Sequence, residues 1–345
     1  TPAQDPETGL VLREHRPLAA HAQRWLGALA KHGAHRAARR RVRVFCPDMR
    51  DCLTLVCRYL TPQAPPDDVR DVAGAAHYVA LLPFLEDRQA FDGDLDLWCT
   101  SQQFLDLLAG DWEEHAILLC NYINYLAAVS KKKDPFKAYL VMGRGIPEGE
   151  TVYVLQKIGE GWDNLVYWNA AKGQGYSSRD ELCPLQDVAC IISEENIWAN
   201  LQKHGHPFQI SYEFETNPKA WRPLFGPQFP RPAHLRPVNE PVLHYAPPHR
   251  SLKNEVAAEI RAAVKKEMRR WRSKRAHTSF NHDASNRLGE LCEALEEDRR
   301  AGRAPDPARV GARLEPVLRL RRLWGGPLHL GFTDVEAVVE RVRAT

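Results

Sequence analysis

The chain has 345 residues and a formal net charge of +3, with 44% hydrophobic, 26% charged and 9% aromatic residues. These proportions exclude a disordered, collagenous or wholly coiled-coil chain and suggest two domains, or one with long extensions. By segment the charge divides: residues 1–45 hold 9 basic and 3 acidic side chains, residues 46–249 hold 17 and 27, and residues 250–345 hold 21 and 14. An acidic centre between basic flanks argues against a dedicated nucleic-acid binder and directs any acidic partner to the flanks.

In chain order, Leu18, Ala22, Trp25, Leu26 and Leu29 recur at helical spacing, and the basic run Arg36 to Arg43 leads into a short strand at Val42, Val44 and Phe45. Residues 1–45 are therefore read as a basic lead-in to the core. The run Leu53 to Tyr59 precedes a Pro-rich turn at Thr61 to Pro66, and helix-spaced apolar residues from Val69 to Leu82 stop at Pro83. The clearest helix starts after Gly110. Asp111 is a good N-cap, Glu114 three residues later completes a capping box, and Ala116, Leu119, Cys120, Ile123 and Leu126 form one apolar face.

Strand-like runs follow at Phe136–Met142, Thr151–Ile158, Leu165–Asn169 and Val188–Ile192, with Gly159-Glu160-Gly161 joining the second and third as a hairpin. The stretch from Gly143 to Gly149 leads toward a strand and is read as a loop. A capped helix followed by an antiparallel meander is α+β architecture, assigned to residues 46–217. Nine prolines between Pro218 and Pro248 predict an extended surface connector, 218–249. Helices are expected at Asn254–Arg275, Leu288–Arg300 and Asp334–Val342, so 250–345 reads as a helical C-terminal region. Val256, Ile260, Val264, Met268 and Trp271 fall on one face of the first of them.

Eight cysteines without a C-x-x-C pair fit reduced, mostly buried thiols of an intracellular protein. Zinc is not expected, because Cys183, Cys190, His204 and His206 lack a ligand spacing, and no other metal or cofactor is implied. No apolar run is long enough to cross a membrane. The opening Thr-Pro-Ala-Gln-Asp-Pro has neither a starting Met nor the features of a signal peptide, and the expectation is a piece of a longer polypeptide. Serine-hydrolase, zinc-protease and P-loop motifs are absent.

A capped helix, then strand, hairpin and strand, is the order in which a thiol hydrolase sets its cysteine, histidine and orienting residue. The stretches LTLVCRYLTPQAPP (53–66), DLWCTSQQFLDLLAGDWEEHAILLCNYINYL (96–126), IPEGETVYVL (146–155), YWNAAKGQGY (167–176) and CPLQDVACIISEENIWANLQ (183–202) closely resemble the coiled-coil and C2 domain-containing protein 2 family. A looser match, GGPLHLGFTDVEAVVERV (325–342), extends the likeness. The resemblance implies a papain-like, transglutaminase-like core with helical flanks.

It also implies a component of the ciliary transition zone, on the cytoplasmic side of the ciliary base and its cytoskeleton. Partners would be the Meckel and tectonic-type assembly that serves ciliogenesis and gating. The family's C2 domains and coiled coil lie outside this chain.

Placed on the superfamily motif, the nucleophile position falls on Trp112, the base position on Thr151 and the orienting position on Asn169. No histidine lies between His115 and His204. The expectation is a non-catalytic scaffold whose cleft candidates are Trp112, His115, Arg144, Tyr153 and Trp168, either as an open peptide groove or as one plugged by Trp112. His115 also reads as a satisfied buried histidine, and Cys120 as a core thiol. The alternatives are a residual thiol peptidase or transglutaminase-type enzyme and an anionic-membrane contact. The basic helix, with Lys265, Arg269, Arg270 and Arg272, would serve such a membrane contact, an acidic tubulin tail, or simply water.

Overall fold

The computed structural model describes residues 9–33, 40–90, 96–130, 135–246, 250–272, 279–300, 304–320, 330 and 334–344. Arg36 and Arg39 of the first basic run, Lys131–Lys133, Lys274, Arg275 and most of 325–333 lie outside the described residues.

The chain divides into two compact units, 1–245 and 246–345. In the first, β1 (Val11–Leu12) and α1 (Arg16–Lys31) precede β2 (Phe45–Pro47) and β3 (Cys52–Leu55). Then come α2 (Val72–Ala80), α3 (Asp87–Ala90), α4 (Ser101–Leu107) and α5 (Trp112–Val129). The remaining strands are β4 (Phe136–Gly145), β5 (Gly149–Ile158), β6 (Leu165–Asn169), β7 (Gln174–Ser177), β8 (Leu185–Ile192), β9 (Ile197–Asn200) and β10 (Trp221–Pro223). The last seven form one antiparallel sheet in the order β10-β9-β8-β4-β5-β6-β7.

The sheet is covered on both faces, which is why its central strands read as unbroken apolar runs. Ala138, Leu140, Met142, Val152 and Val154 pack with α5, whereas Tyr139, Val141, Tyr153 and Leu155 join Tyr212, Phe214 and Trp221 on the other side. The α5 capping box forms as its spacing predicts: Glu113 N–H donates to Asp111 Oδ1 at 3.2 Å, and Asp111 N–H donates to Glu114 Oε2 at 3.0 Å. From Glu114 to Ile123 the helix is buried on every side, not on one face. Sheet and α2 enclose it, and its internal polar group, Asn121, is satisfied by Thr61, Tyr59, Gln63 and Ser101.

Two sequence expectations are corrected here. Gly143-Arg144-Gly145 is not loop but the end of β4, and the turn is confined to Ile146–Glu148. At Gly143 the β8 backbone comes so close that a Cβ would lie 2.1 Å from Asp187 O, an approach only glycine permits. The proline-rich stretch is not a surface connector. Trp221–Pro223 is an edge strand, and Leu224, Phe225, Leu235 and Leu243 are buried in the core that also takes Leu18, Ala22, Trp25 and Leu29 of α1.

Prolines lack N–H groups but keep carbonyls, and these accept: Trp25 Nε1 donates to Pro223 O at 2.9 Å. Farther on, Asn239 joins Tyr59 and Ser101, and the Tyr245 hydroxyl meets Tyr122 at 2.8 Å. The described residues of the lead-in, of the core and of the connector thus contribute to one core.

The second unit contains α6 (Arg250–Trp271), α7 (His282–Arg300), α8 (Pro307–Leu318) and α9 (Val335–Ala344), with α9 packed on α6 and α8 on α7. The expected face of α6 is half-buried, with Arg343 lying 6.0 Å over the Trp271 ring.

Candidate functional site

At the α5 N-terminus, the ends of β4, β5 and β8, the β4–β5 turn and the segment before β2 enclose a cleft of about 500 Å³. Trp112 and Thr151 lie on its walls with Arg144, so the space is open and Trp112 borders it instead of filling it. The half-buried Trp112 ring leans on Phe84, with centroids 4.5 Å apart and planes at 53°, while Lys172 Nζ lies 5.9 Å over the ring.

One bank is basic. Arg40, its side chain fully buried, pairs with both Asp187 oxygens at 3.0 and 3.2 Å and donates to Asn200 O and Gln202 O. Arg41 reaches Glu150 at 3.2 Å on the surface, and Arg43 pairs with Asp96. The acidic partners of these residues of the first basic run lie up to 147 positions away in the sequence. Beside Arg43 the wall turns to carboxylate. Asp87, Asp96 and Asp111 bring oxygen atoms within 4.8 Å of one another.

Burial, then the neighbouring Asp111 and Asp96, pushes the Asp87 carboxyl up to about 6, against the Leu97 N–H it accepts. Burial and Asp111 likewise hold Glu113 and Glu114 well above the usual carboxylate range. Three converging oxygen donors suit a hard cation and not zinc, although Arg43 already supplies positive charge beside Asp96.

The β4–β5 turn presents Glu148 to the cleft with its side chain only 1% exposed. Its Oε1 accepts from Lys172 Nζ at 2.8 Å and Asn169 Nδ2 at 3.3 Å, while Oε2 is buried without a partner. Thr151 Oγ1 is also buried and unpartnered.

Of the residues singled out from the sequence, Trp112, Arg144 and Thr151 come together here. Asn169 is fully buried behind Glu148 and donates to the Tyr153 hydroxyl at 3.0 Å. Tyr153 itself belongs to the second core, and Trp168, opposite Val154 in register, lies on the α5 face with its Nε1 on Gln156. His115 is buried, its ring nitrogens 2.6 Å from Asp111 O and 3.0 Å from Leu82 O, and burial lowers its pKa. His115, Tyr153 and Trp168 therefore do not line the cleft.

Cys120 is fully buried, and burial pushes its thiol far up. Glu148, Asp87, Asp96 and the three arginines are cleft residues that the sequence did not reveal. The IPEGETVYVL stretch contained the Glu148 signal. On α6, Lys265 and Arg269 stand 5.2 and 5.6 Å over the Phe280 ring, and Arg270 pairs with Glu267.

The fold is α+β, and the described cleft walls carry neither cysteine nor histidine. Residues 96–224 match a family model described as the CEP76 peptidase-like domain, with which the α+β fold is consistent. The chain is 26% identical over 301 residues to Protein CC2D2B of Homo sapiens, covering 84% of this chain. It is also 26% identical over 288 residues to coiled-coil and C2 domain-containing protein 2A of Drosophila melanogaster, covering 83%. The resemblance read from the sequence motifs is thereby matched by CC2D2 homologues of both kinds. The chain spans 20% of the length of each relative.

Proposed function

We propose that unit 1 is a non-catalytic peptidase-like module that holds a polypeptide segment in its cleft, within a CC2D2-type protein of the ciliary base. The observation that carries this reading is the open space of about 500 Å³ bordered by Trp112 and Thr151, the residues that the motif placement assigns to the nucleophile and base positions. An aromatic wall with charged groups on either side suits a peptide backbone and its side chains. Without a thiolate and an imidazole to activate it, the same walls bind but do not transfer an acyl group.

By resemblance, the module serves the transition-zone assembly of Meckel and tectonic-type partners, as a scaffold in ciliogenesis and gating on the cytoplasmic side. An acidic tubulin tail belongs to the basic flanks in this reading, since carboxylates crowd the cleft. Incubation of the chain with a pooled octapeptide library tests both halves of the proposal. Peptides should be retained by the wild type and lost from Trp112→Ala, with no cleaved or cross-linked product by mass spectrometry. Turnover, or retention indifferent to Trp112, overturns it.

A further inference from the structure

Glu148 is buried in an unusual way for a carboxylate. It stands in the Ile146–Glu148 turn, yet its side chain is folded back to 1% exposure, with one oxygen doubly bonded by Lys172 and Asn169 and the other facing no donor. Thr151, 3% exposed, leaves its hydroxyl unpartnered on the same cleft. Both side chains pack against Gly145, where a Cβ would lie 2.8 Å from Glu148 Oε2 and 3.5 Å from both Thr151 Cγ2 and Pro184 O, so only a glycine leaves Glu148 its place.

A buried acceptor without a donor is costly unless something supplies one. The surroundings select the kind of donor. Lys172 Nζ already rests over the Trp112 ring at 5.9 Å, so the indole face beside Glu148 accommodates a cation. On the same cleft Asp87, Asp96 and Asp111 crowd their oxygens, and Asp96 Oδ1 is likewise buried without a partner. Arg40, Arg41 and Arg43 are each engaged by a carboxylate.

We infer that Glu148 Oε2 and Thr151 Oγ1 form a pocket for a cationic side chain, lysine or arginine, of the polypeptide bound in the cleft. The inference rests on the proposed peptide-binding reading and adds the charge of the segment to it. An ammonium or guanidinium N–H donates to Glu148 Oε2 and Thr151 Oγ1 accepts a second, while the aliphatic stem lies along Trp112.

The test is a positional-scanning library of acetylated, amidated octapeptides titrated against the 345-residue chain, followed by tryptophan fluorescence. Lysine and arginine should be enriched at least tenfold at one position over norleucine and glutamate. Glu148→Gln and Thr151→Val should each erase most of that enrichment, bringing the affinities for lysine and norleucine peptides to within about twofold of each other. Gly145→Ala, whose Cβ would push Glu148 Oε2 from its place, should do the same, and circular dichroism melts verify that each variant is folded. Cleft-dependent binding with no basic preference, or a preference unchanged in Glu148→Gln, overturns this inference and leaves the peptide-binding reading standing. Absence of any binding sensitive to Trp112→Ala overturns both. Displacement of the basic peptides by millimolar Mg²⁺ or Ca²⁺, relieved by Asp87→Asn, would assign the acidic bank to a metal instead.

Discussion

Trp112 leans on Phe84 with ring centroids 4.5 Å apart, so the first residue of α5 is held by an aromatic partner and not by a base. Because the indole is only half-buried, Trp112→Ala should cost about 1–2 kcal/mol of stability, less than a core truncation, while lowering peptide affinity about tenfold. Chemical denaturation and calorimetric titration read the two quantities separately. A loss of stability above about 4 kcal/mol would make Trp112 a core residue.

Asn169 is anchored against Glu148 and the Tyr153 hydroxyl. Asn169→Asp should therefore destabilise the fold by about 2–3 kcal/mol, because it sets a second buried carboxylate beside the first and removes two donated hydrogen bonds. Urea unfolding of Asn169→Asp against the wild type checks it. Unchanged stability would mean that the position tolerates an acid as an active enzyme's would.

The thiols differ in access. Cys292 is exposed and Cys52 half-exposed, whereas Cys46, Cys57, Cys99, Cys120, Cys183 and Cys190 are buried, with pKa values raised by that burial, Cys190 to about 12. Under native conditions near pH 7.5, iodoacetamide should label Cys292 first, Cys52 more slowly and the buried six hardly at all. Peptide mass mapping gives the order. Fast modification of any buried cysteine would revive a thiol-enzyme reading.

Asp87 titrates near 6 in the folded chain against an ordinary 3.8. The folded state thus holds the extra proton between those values, so this group lowers stability as pH rises from about 4 to about 6, and the penalty persists above 6. Asp87→Asn can still accept the Leu97 N–H. It should raise the unfolding free energy by about 1–2 kcal/mol at pH 7 and by almost nothing at pH 4, as measured by denaturant melts at the two pH values. A variant less stable than wild type at pH 7 would contradict the assignment.

For the flanks, a glutamate-rich tail peptide should bind through α6, weaken steeply between low and physiological salt, and be lost in the combined Arg269→Glu, Arg270→Glu and Arg272→Glu variant. Fluorescence anisotropy measures it. Sedimentation of the same variant with anionic liposomes decides whether those side chains contact membrane instead, in which case the wild type would pellet and the variant would not.

Much of this architecture is legible in the chain because its signals are local. Asp111 and Glu114 specify the start of α5 within four residues, and Gly159, with φ of +81°, marks the hairpin it occupies. The cleft is less legible, since its members meet only through tertiary contacts. Arg40 finds Asp187 from the far side of the sequence, and the prolines around Trp221 conceal an edge strand because their carbonyls, not their missing N–H groups, make the contacts.

Register also decides what periodicity leaves open. Tyr153 and Trp168 both sit in strands with apolar residues on either side, and only the pairing of Trp168 with Val154 shows that they face opposite layers.

The central claim is that the cleft binds a polypeptide and performs no chemistry on it. Heteronuclear NMR of the chain with selectively labelled tryptophan, titrated with the lysine-bearing octapeptides, tests it most directly. The Trp112 indole signal, assigned by Trp112→Phe, should shift saturably while those of the buried Trp98 and Trp221 stay in place, with the peptide recovered intact. An unmoved Trp112 signal at saturating peptide, or a cleaved or transamidated peptide in the tube, would contradict it.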